Sequence, residues 1–301
     1  MLPILGTDQT TRAGSMSPTN RFSKSSFRIA LVLLCAPFLT GFSIEALFAP
    51  RAHLLEMWVV HDAESKRTID HSSWDTLLKR YVVMGSDGIN RFAYKRVTKK
   101  DRALLESYIR EISKTKISNY NRDEQFAFWV NLYNARTIKV ILDHPDAKTI
   151  RDIDISPGFF ADGPWGKKMM VVEDTILSLN DVEHGILRPI WKDPYIHYAV
   201  NCASLSCPNL LPTAFTGKNY RQLLAGAARS YINHPRGVTI EDGQIKVSSI
   251  YVWFGEDFGG EPGVLKHLKK YSQRERVRVI LHSRSSIADH GYDWALNGVS
   301  Q

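Results

Sequence analysis

The sequence predicts an α+β fold, a single globular domain in which a buried central helix packs on a small, mainly antiparallel sheet. Three observations support this. Helical spacing dominates the first half of the chain, short strand patterns dominate the second half, and no repeat or low-complexity linker follows residue 60. Of the 301 residues, 44% are hydrophobic, which is enough for a sizeable core. We therefore expect an N-terminal segment, residues 1–50, followed by one domain, residues 51–301.

The N-terminal segment has the pattern of an export signal. Three basic residues, Arg21, Lys24 and Arg28, precede an uncharged apolar run over residues 29–44. This run falls below the roughly 18 residues expected of a membrane-spanning helix. Met16, taken as the start, would give the basic flank a more usual length. We expect an exported protein, either periplasmic or held at the membrane by an uncleaved N-terminal anchor; a buried apolar segment of a cytosolic protein is the alternative.

The chain is basic, with a formal net charge of +8 at pH 7. Without residues 1–50, Lys and Arg fall from 39 to 35 and Asp and Glu from 31 to 29, which leaves +6. Much of the excess lies in one stretch near the C-terminus: Lys266, Lys269, Lys270, Arg274, Arg276 and Arg278. Such a stretch is usually a solvated face, although anionic lipid or cell-wall polymer would be attracted to it. Nucleic acid is not an expected partner, because no recognisable binding motif is present.

Six helices are predicted. Apolar residues three and four apart indicate each of them, and acidic residues that follow Asn121 and Ser178 give two of them a capping pattern. They cover residues 73–81, 101–114, 122–143, 178–188, 220–233 and 262–271. The third is apolar almost all round, so it should lie in the core. Pro145 and Pro189 are expected to end the third and fourth helices.

Strands are predicted in four places. Residues 168–172 follow a Gly/Pro/aromatic loop over residues 158–166, and residues 196–201 alternate in the manner of a half-buried strand. Residues 238–247 form a hairpin with Asp242-Gly243 at its tip. Residues 277–281 are expected to be a closing strand.

Five separated blocks resemble the domain of unknown function 547 family. They are EQFAFWVNLYNA (residues 124–135), LSLNDVEHGILR (177–188), DPYIHYAVNCASLSCP (193–208), SSIYVWFGEDFG from Ser248, and YDWALN (292–297). The resemblance covers roughly residues 70–298 in colinear order. It implies a domain found in bacterial envelopes and at the C-terminal end of some plant proteins, and it supplies no reaction.

The segment with the clearest chemical content is the loop after residues 196–201. It carries Cys202 and Cys207, the two cysteines that lie outside the N-terminal segment. On a strand, His197 and Asn201 would point to the same side, which would place an imidazole and an amide beside a thiol. A histidine close to a cysteine is one arrangement that generates a reactive thiolate.

The two thiols have several interpretations. Cys202 is the preferred nucleophile because Pro208, which follows Cys207, has no N–H to stabilise an oxyanion. In an exported protein the pair could instead form a disulfide, or remain as inert buried thiols. Zinc is disfavoured, since Cys-x4-Cys lacks a standard ligand spacing. We predict no metal and no cofactor.

The central helix carries polar side chains that need partners if they are buried. Glu124 and Asn131 are two turns apart on one face, and Asn134 follows one turn later. They either cap neighbouring loops or form a wall of the site, where Asn131 or Glu124 would orient the catalytic histidine.

Two functional hypotheses follow. The first is a cysteine-dependent hydrolase or acyl transferase of the envelope, acting on a peptide or amide bond of a small-molecule or peptide substrate. Cys202 would attack, His197 or, as second choice, His184 would move the proton, and Asn134, Asn201 and Cys207 would help to form the site. The second is a non-catalytic envelope binding or scaffold module with a structural Cys202–Cys207 disulfide and an aromatic groove lined by Trp165, Trp253 and Phe254.

Overall fold

The central helix organises the fold. It runs from Arg122 to Asp143, and Asn121 caps it by accepting a hydrogen bond from the backbone N–H of Glu124, as the sequence predicts. Sixteen of its side chains are buried, including Phe126, Trp129 and Tyr133. Its main neighbours are the helix before it and the helical segment over residues 181–187. It is therefore enclosed on most sides, which explains why its sequence is apolar almost all round.

The computed structural model describes residues 49–158 and 162–299. Within these ranges it contains eight α-helices and seven strands. The helices are α1 (Ser72–Tyr81), α2 (Lys99–Ser113), α3 (Arg122–Asp143), α4 (Arg188–Trp191), α5 (Tyr220–Ile232), α6 (Ile250–Trp253), α7 (Gly260–Tyr271) and α8 (Glu275–Ser283). The strands are β1 (Val82–Met84), β2 (Asn90–Phe92), β3 (Met170–Val172), β4 (Thr175–Leu177), β5 (Val238–Glu241), β6 (Gln244–Ser248) and β7 (Asp289–Gly291). The export signal or anchor predicted over residues 1–50 lies almost entirely outside the described residues. No helix within the described ranges is long and apolar enough to cross a membrane.

The strands form three small sheets, and the α+β class is confirmed. Two sheets are antiparallel hairpins, β1–β2 and β3–β4. In the third sheet, β6 pairs antiparallel with β5 and parallel with β7. The predicted hairpin over residues 238–247 is present, and both residues at its tip, Asp242 and Gly243, have positive φ, as a two-residue type I′ turn requires.

Two predicted strands are helical. Residues 277–281 lie in α8, where Val277 and Leu281 are buried one turn apart, a spacing that fits a helix as well as a strand. The strand predicted over residues 196–201 is absent: residues 194–198 form a short 3₁₀ helix that Asp193 caps, with Pro194 in its first turn, and residues 199–201 form no strand. Asp-Pro is a helix-start signal. The alternation after it misled the prediction because the segment is buried on all sides.

The predicted helix over residues 178–188 has an unusual form. Residues 181–187 make a π-helix that continues into α4, so Pro189 does not end the helical segment. Pro189 has no N–H to offer Gly185 O, and this carbonyl accepts instead from Leu55 N–H at 2.9 Å. Arg188 N–H bonds to Glu183 O, so His184 O is left to accept from His53 N–H. The arm over residues 53–55 thus satisfies the carbonyls that the π-helix leaves free.

Candidate active site

A cavity of about 690 Å³ opens where the apolar clusters of the core meet. Its walls include Tyr133 of α3, Ile250 of α6 and Trp294 near the C-terminus. It also brings together six side chains that the sequence analysis selected on chemical grounds: His197, Cys202, Cys207, Trp165, Trp253 and Phe254. His184 is not among the lining residues. Other candidates bond elsewhere, as described below.

The cysteine loop, residues 201–208, is held in shape by Asn201. Its side-chain amide donates to Pro208 O at 2.8 Å, and its Oδ1 accepts from Ala203 N–H at 2.9 Å. Ala203 is fully buried and has a φ of 60°, a left-handed conformation that bends the chain directly after Cys202. Asn201 therefore joins the two ends of the loop and fixes the positions of both thiols.

Asn134 supports the same loop from the central helix. Its Nδ2 donates to Ala199 O at 2.9 Å, and its Oδ1 accepts from Asn201 N–H at 2.8 Å. The amide is 2% exposed, so both of these hydrogen bonds replace contacts with water. Asn134 thus acts on the site through the backbone of the segment that carries Cys202.

The sulfur cluster consists of Cys202, Ser204, Cys207 and Tyr292. Cys202 Sγ lies 3.1 Å from Ser204 Oγ and 3.0 Å from Tyr292 Oη, and the two hydroxyl oxygens lie 2.8 Å apart. Cys202 N–H donates to Cys207 Sγ at 3.1 Å. Both cysteines are free thiols; Cys202 is partly exposed and Cys207 is buried.

These contacts favour a thiolate at Cys202. The hydrogen bond with Cys207 lowers its pKa most; burial opposes this, and hydrogen bonds from Ser204 and Tyr292 add to the lowering, so the pKa falls to about 7. Burial raises the pKa of Cys207, and the neighbouring Cys202 raises it further. Burial also raises the pKa of Tyr292 well above its ordinary value, which keeps its hydroxyl protonated as a donor.

The C-terminal segment brings Tyr292 to the sulfur. Leu205 N–H donates to Ala295 O at 2.8 Å, and Asn297 N–H donates to Ala203 O at 2.9 Å. The block YDWALN therefore runs beside the cysteine loop. In the sequence, Tyr292 and Ser204 stand out only as members of the blocks over residues 292–297 and 193–208, since residues about 90 positions apart meet only in the folded chain.

The histidine cluster consists of His197, Glu183, Asp257 and Arg188. His197 Nε2 lies 2.7 Å from Asp257 Oδ2, and its Nδ1 lies 4.0 Å from Glu183 Oε1. The ring stacks on Phe254 with 4.3 Å between centroids. Glu183 lines the cavity beside His197 and accepts from the Tyr133 hydroxyl at 3.0 Å.

Arg188 holds the far side of this cluster. Its Nε and Nη2 donate to the two carboxylate oxygens of Asp257 at 2.6 and 3.1 Å. Burial alone would raise the pKa of Asp257, but the hydrogen bonds from His197 and Arg188 outweigh it and lower the pKa to about 2. Asp257 therefore stays ionised and fixes the His197 ring.

Three candidate residues make contacts other than the predicted ones. The Nε2 atom of His197 bonds to Asp257, and the strand that was to align His197 with Asn201 is a 3₁₀ helix. The amide of Asn131 bonds to both backbone groups of Phe215, at 2.7 and 3.1 Å. Glu124 accepts from Ile69 N–H at 3.1 Å and so anchors a loop.

His184 has a structural position. Its Nδ1 accepts a hydrogen bond from Arg188 Nη1 at 3.1 Å. Burial lowers the pKa of His184 to about 4, so the ring is neutral near pH 7 and remains an acceptor. The side chain thereby helps to aim Arg188 at Asp257.

Aromatic side chains form one wall of the cavity. Trp253 stacks on Trp294 at 5.6 Å, and Tyr292 packs against both rings at 4.9 and 4.6 Å. Trp165 meets Trp294 edge-on at 5.8 Å. This wall begins at the sulfur cluster, because Tyr292 belongs to both. Within the described residues, no group of three or more His, Cys, Asp or Glu side chains is arranged to hold a metal ion.

Comparison with known proteins finds a family for the central part of the chain. Residues 117–232 match the family model described as Protein of unknown function, DUF547. The chain carries a DUF547 domain. No curated protein and no solved structure matches the chain. The matched segment includes Glu183, His197 and both cysteines of the loop, whereas Asp257 and Tyr292 lie beyond it and complete the site from the C-terminal side.

Proposed function

We propose that this DUF547 protein is a cysteine-dependent hydrolase or acyl transferase that acts on a peptide or amide bond. The observation that carries the proposal is the position of Cys202. Its sulfur lines the cavity and lies within 3.1 Å of two hydroxyl groups, Ser204 Oγ and Tyr292 Oη. A thiolate with a pKa of about 7 is a nucleophile at neutral pH without a base beside it.

The groups around this sulfur support the following reaction. The Cys202 thiolate attacks the carbonyl carbon of the substrate, and the negative charge moves to the carbonyl oxygen. Once the sulfur is bonded to carbon it carries no negative charge, so the hydroxyls of Ser204 and Tyr292 can donate to this oxygen instead. The amine leaves with a proton and a thioester remains on Cys202, which water or an amine acceptor then cleaves.

The histidine cluster supplies the proton transfer. His197 and Glu183 line the same cavity as Cys202, so they can act on a leaving group or a water molecule bound between the two clusters. Asp257 and Arg188 keep the ring in place. In this mechanism the imidazole serves the leaving group and the attacking water rather than the thiol.

The proposal is tested by the pH dependence of Cys202 alkylation and by trapping of the thioester. We expect the rate of modification by iodoacetamide to rise with a midpoint near pH 7, at Cys202 and not at Cys207, as located by peptide mass spectrometry. Activated acyl esters should leave a hydroxylamine-sensitive acyl group on Cys202. Cys202→Ser should abolish both signals.

A midpoint near the ordinary value of a cysteine, or acylation that persists in Cys202→Ser, would contradict the proposal. A protein that binds ligands in the aromatic cavity but never acylates would instead be the binding module. The matched control is Ser206→Ala, since Ser206 lies in the same loop and its hydroxyl accepts from Asp293 N–H rather than contacting the sulfur.

We also propose export to the envelope, because a basic flank precedes the apolar run over residues 29–44. Expression of the full chain with cell fractionation and N-terminal mass spectrometry tests this. Recovery in the cytosol with residues 1–50 intact would refute it.

A further inference from the structure

The two thiols of the cysteine loop are placed to react with each other. The backbone N–H of Cys202 lies 3.1 Å from Cys207 Sγ, so the buried sulfur sits directly against the residue that carries the exposed one. The left-handed Ala203 and the turn closed by Cys207 N–H to Ser204 O bring the chain back on itself. Asn201 then locks the ends of the loop together.

The two sulfurs differ in access. Cys202 is partly exposed and lines the cavity, where a small molecule can reach it. Cys207 also borders the cavity, but it is only 4% exposed and its thiol lies 3.8 Å from Val200 O, so it meets external reagents poorly. An accessible thiolate beside a shielded thiol is the asymmetry of an attacking and a resolving cysteine.

We propose that Cys202 and Cys207 form a reversible dithiol–disulfide couple that is oxidised by low-molecular-weight disulfides. This inference rests on the proposed function for the reactivity of Cys202 and adds a regulation of the same site. When the disulfide forms, the nucleophile is consumed and acyl transfer stops, and a thiol reductant restores it.

The exchange proceeds in two balanced steps. The Cys202 thiolate attacks one sulfur of the external disulfide, which forms a mixed disulfide and releases one thiolate. Cys207 then loses its proton to water and attacks Cys202 Sγ, which forms the internal disulfide and releases the second thiolate. Two protein thiols are oxidised and one external disulfide is reduced to two thiols.

The first step prepares the second. Besides burial, the neighbouring Cys202 raises the pKa of Cys207. Once Cys202 is held in a mixed disulfide, its negative charge is gone, so Cys207 loses its proton more readily than in the reduced protein. Cys207 is thus a better nucleophile after Cys202 has reacted than before.

The test uses the full chain with Cys35→Ser, which removes the third cysteine and leaves only this pair. The protein is incubated with mixtures of oxidised and reduced glutathione, quenched with acid and mapped by non-reducing mass spectrometry. We expect a Cys202–Cys207 disulfide that reverts with dithiothreitol. In the Cys35→Ser protein, the further substitution Cys207→Ala should trap glutathione on Cys202. The further substitution Cys202→Ala should instead leave Cys207 reduced. Cys207→Ser replaces Cys207→Ala if urea unfolding shows that the alanine variant does not fold.

Two results would overturn the couple: a stable glutathione adduct on Cys202 with Cys207 still reduced in the parent protein, or oxidation of Cys207 in the Cys202→Ala variant at the parent rate. The iodoacetamide profile of the parent separates this failure from failure of the proposed function. If Cys202 alkylates with a midpoint near pH 7 but forms no internal disulfide, only the redox couple is refuted. If Cys202 reacts with neither reagent, both proposals are refuted.

Discussion

The sulfur cluster and the histidine cluster border one cavity but are stabilised in different ways. Cys202 is surrounded by neutral hydrogen-bond donors, the hydroxyls of Ser204 and Tyr292 and the thiol of Cys207. His197 is surrounded by charges, with the Asp257 carboxylate at 2.7 Å and Arg188 behind it. A thiolate is therefore favoured at Cys202 by neutral donors alone, so the two clusters should respond separately to mutation.

The largest expected effect falls on the histidine cluster. Asp257→Ala leaves the buried Arg188 guanidinium without its carboxylate, and removing one partner of a buried pair costs about 3 kcal/mol in the free energy of unfolding. The iodoacetamide reactivity of Cys202 should not change in the folded variant. Asp289→Ala is the control, since Asp289 pairs with Lys246 on the surface and its loss should cost less than about 1 kcal/mol.

Equal urea stability of the Asp257→Ala variant and the wild type would contradict this view of Arg188. A slowed alkylation of Cys202 in the folded variant would show that the two clusters are coupled.

The next effect is the contribution of His184 to the pH dependence of the free energy of unfolding. The pKa of His184 is lowered from 6.5 to about 4 by burial, so the unfolded chain binds the proton more readily than the fold does. This contribution to stability is complete above pH 6.5 and is lost as the pH falls toward 4. From His184 alone we expect a loss of about 2 kcal/mol between pH 7 and pH 5.

Urea unfolding at the two pH values checks this prediction. His184→Gln keeps an acceptor for Arg188 but should remove only its own share, about 2 kcal/mol, of the stability lost between pH 7 and pH 5, whereas the same change at the exposed His61 should leave the loss unchanged. Burial also lowers the pKa values of His71 and His267 to about 4, so these residues account for further loss in the same range. A His184→Gln variant with the full wild-type dependence would refute the assignment.

The smallest effect sharpens the comparison with a matched pair of tyrosines. Tyr292→Phe removes a donor to Cys202 Sγ, so the pKa of Cys202 should rise and alkylation at pH 7 should slow by roughly three- to tenfold. Tyr133→Phe removes the donor to Glu183 on the histidine side and should leave this rate unchanged. Stopped-flow or mass-spectrometric alkylation rates measure both; an equal slowing in the two variants would contradict separate clusters.

Much of the fold could be predicted from local sequence. The central helix has the predicted bounds and cap because Asn121 and the apolar run around it specify both within one segment. The hairpin with Asp242-Gly243 is equally local. The strands predicted over residues 196–201 and 277–281 are wrong, since each segment is short and largely buried, and short apolar runs fit either period until their neighbours are known.

The resemblance to DUF547, the α+β class and the presence of two thiols in one loop could be read from the sequence, because each depends on residues close together along the chain. Tertiary structure alone decided which groups act on those residues. Tyr292 reaches Cys202 from 90 positions away, and Asp257 reaches His197 from 60. The polar face of the central helix turned out to anchor backbone at Phe215, Ala199 and Asn201. A buried amide bonds to whichever backbone groups the packed chain brings to it, and spacing along one helix does not specify them.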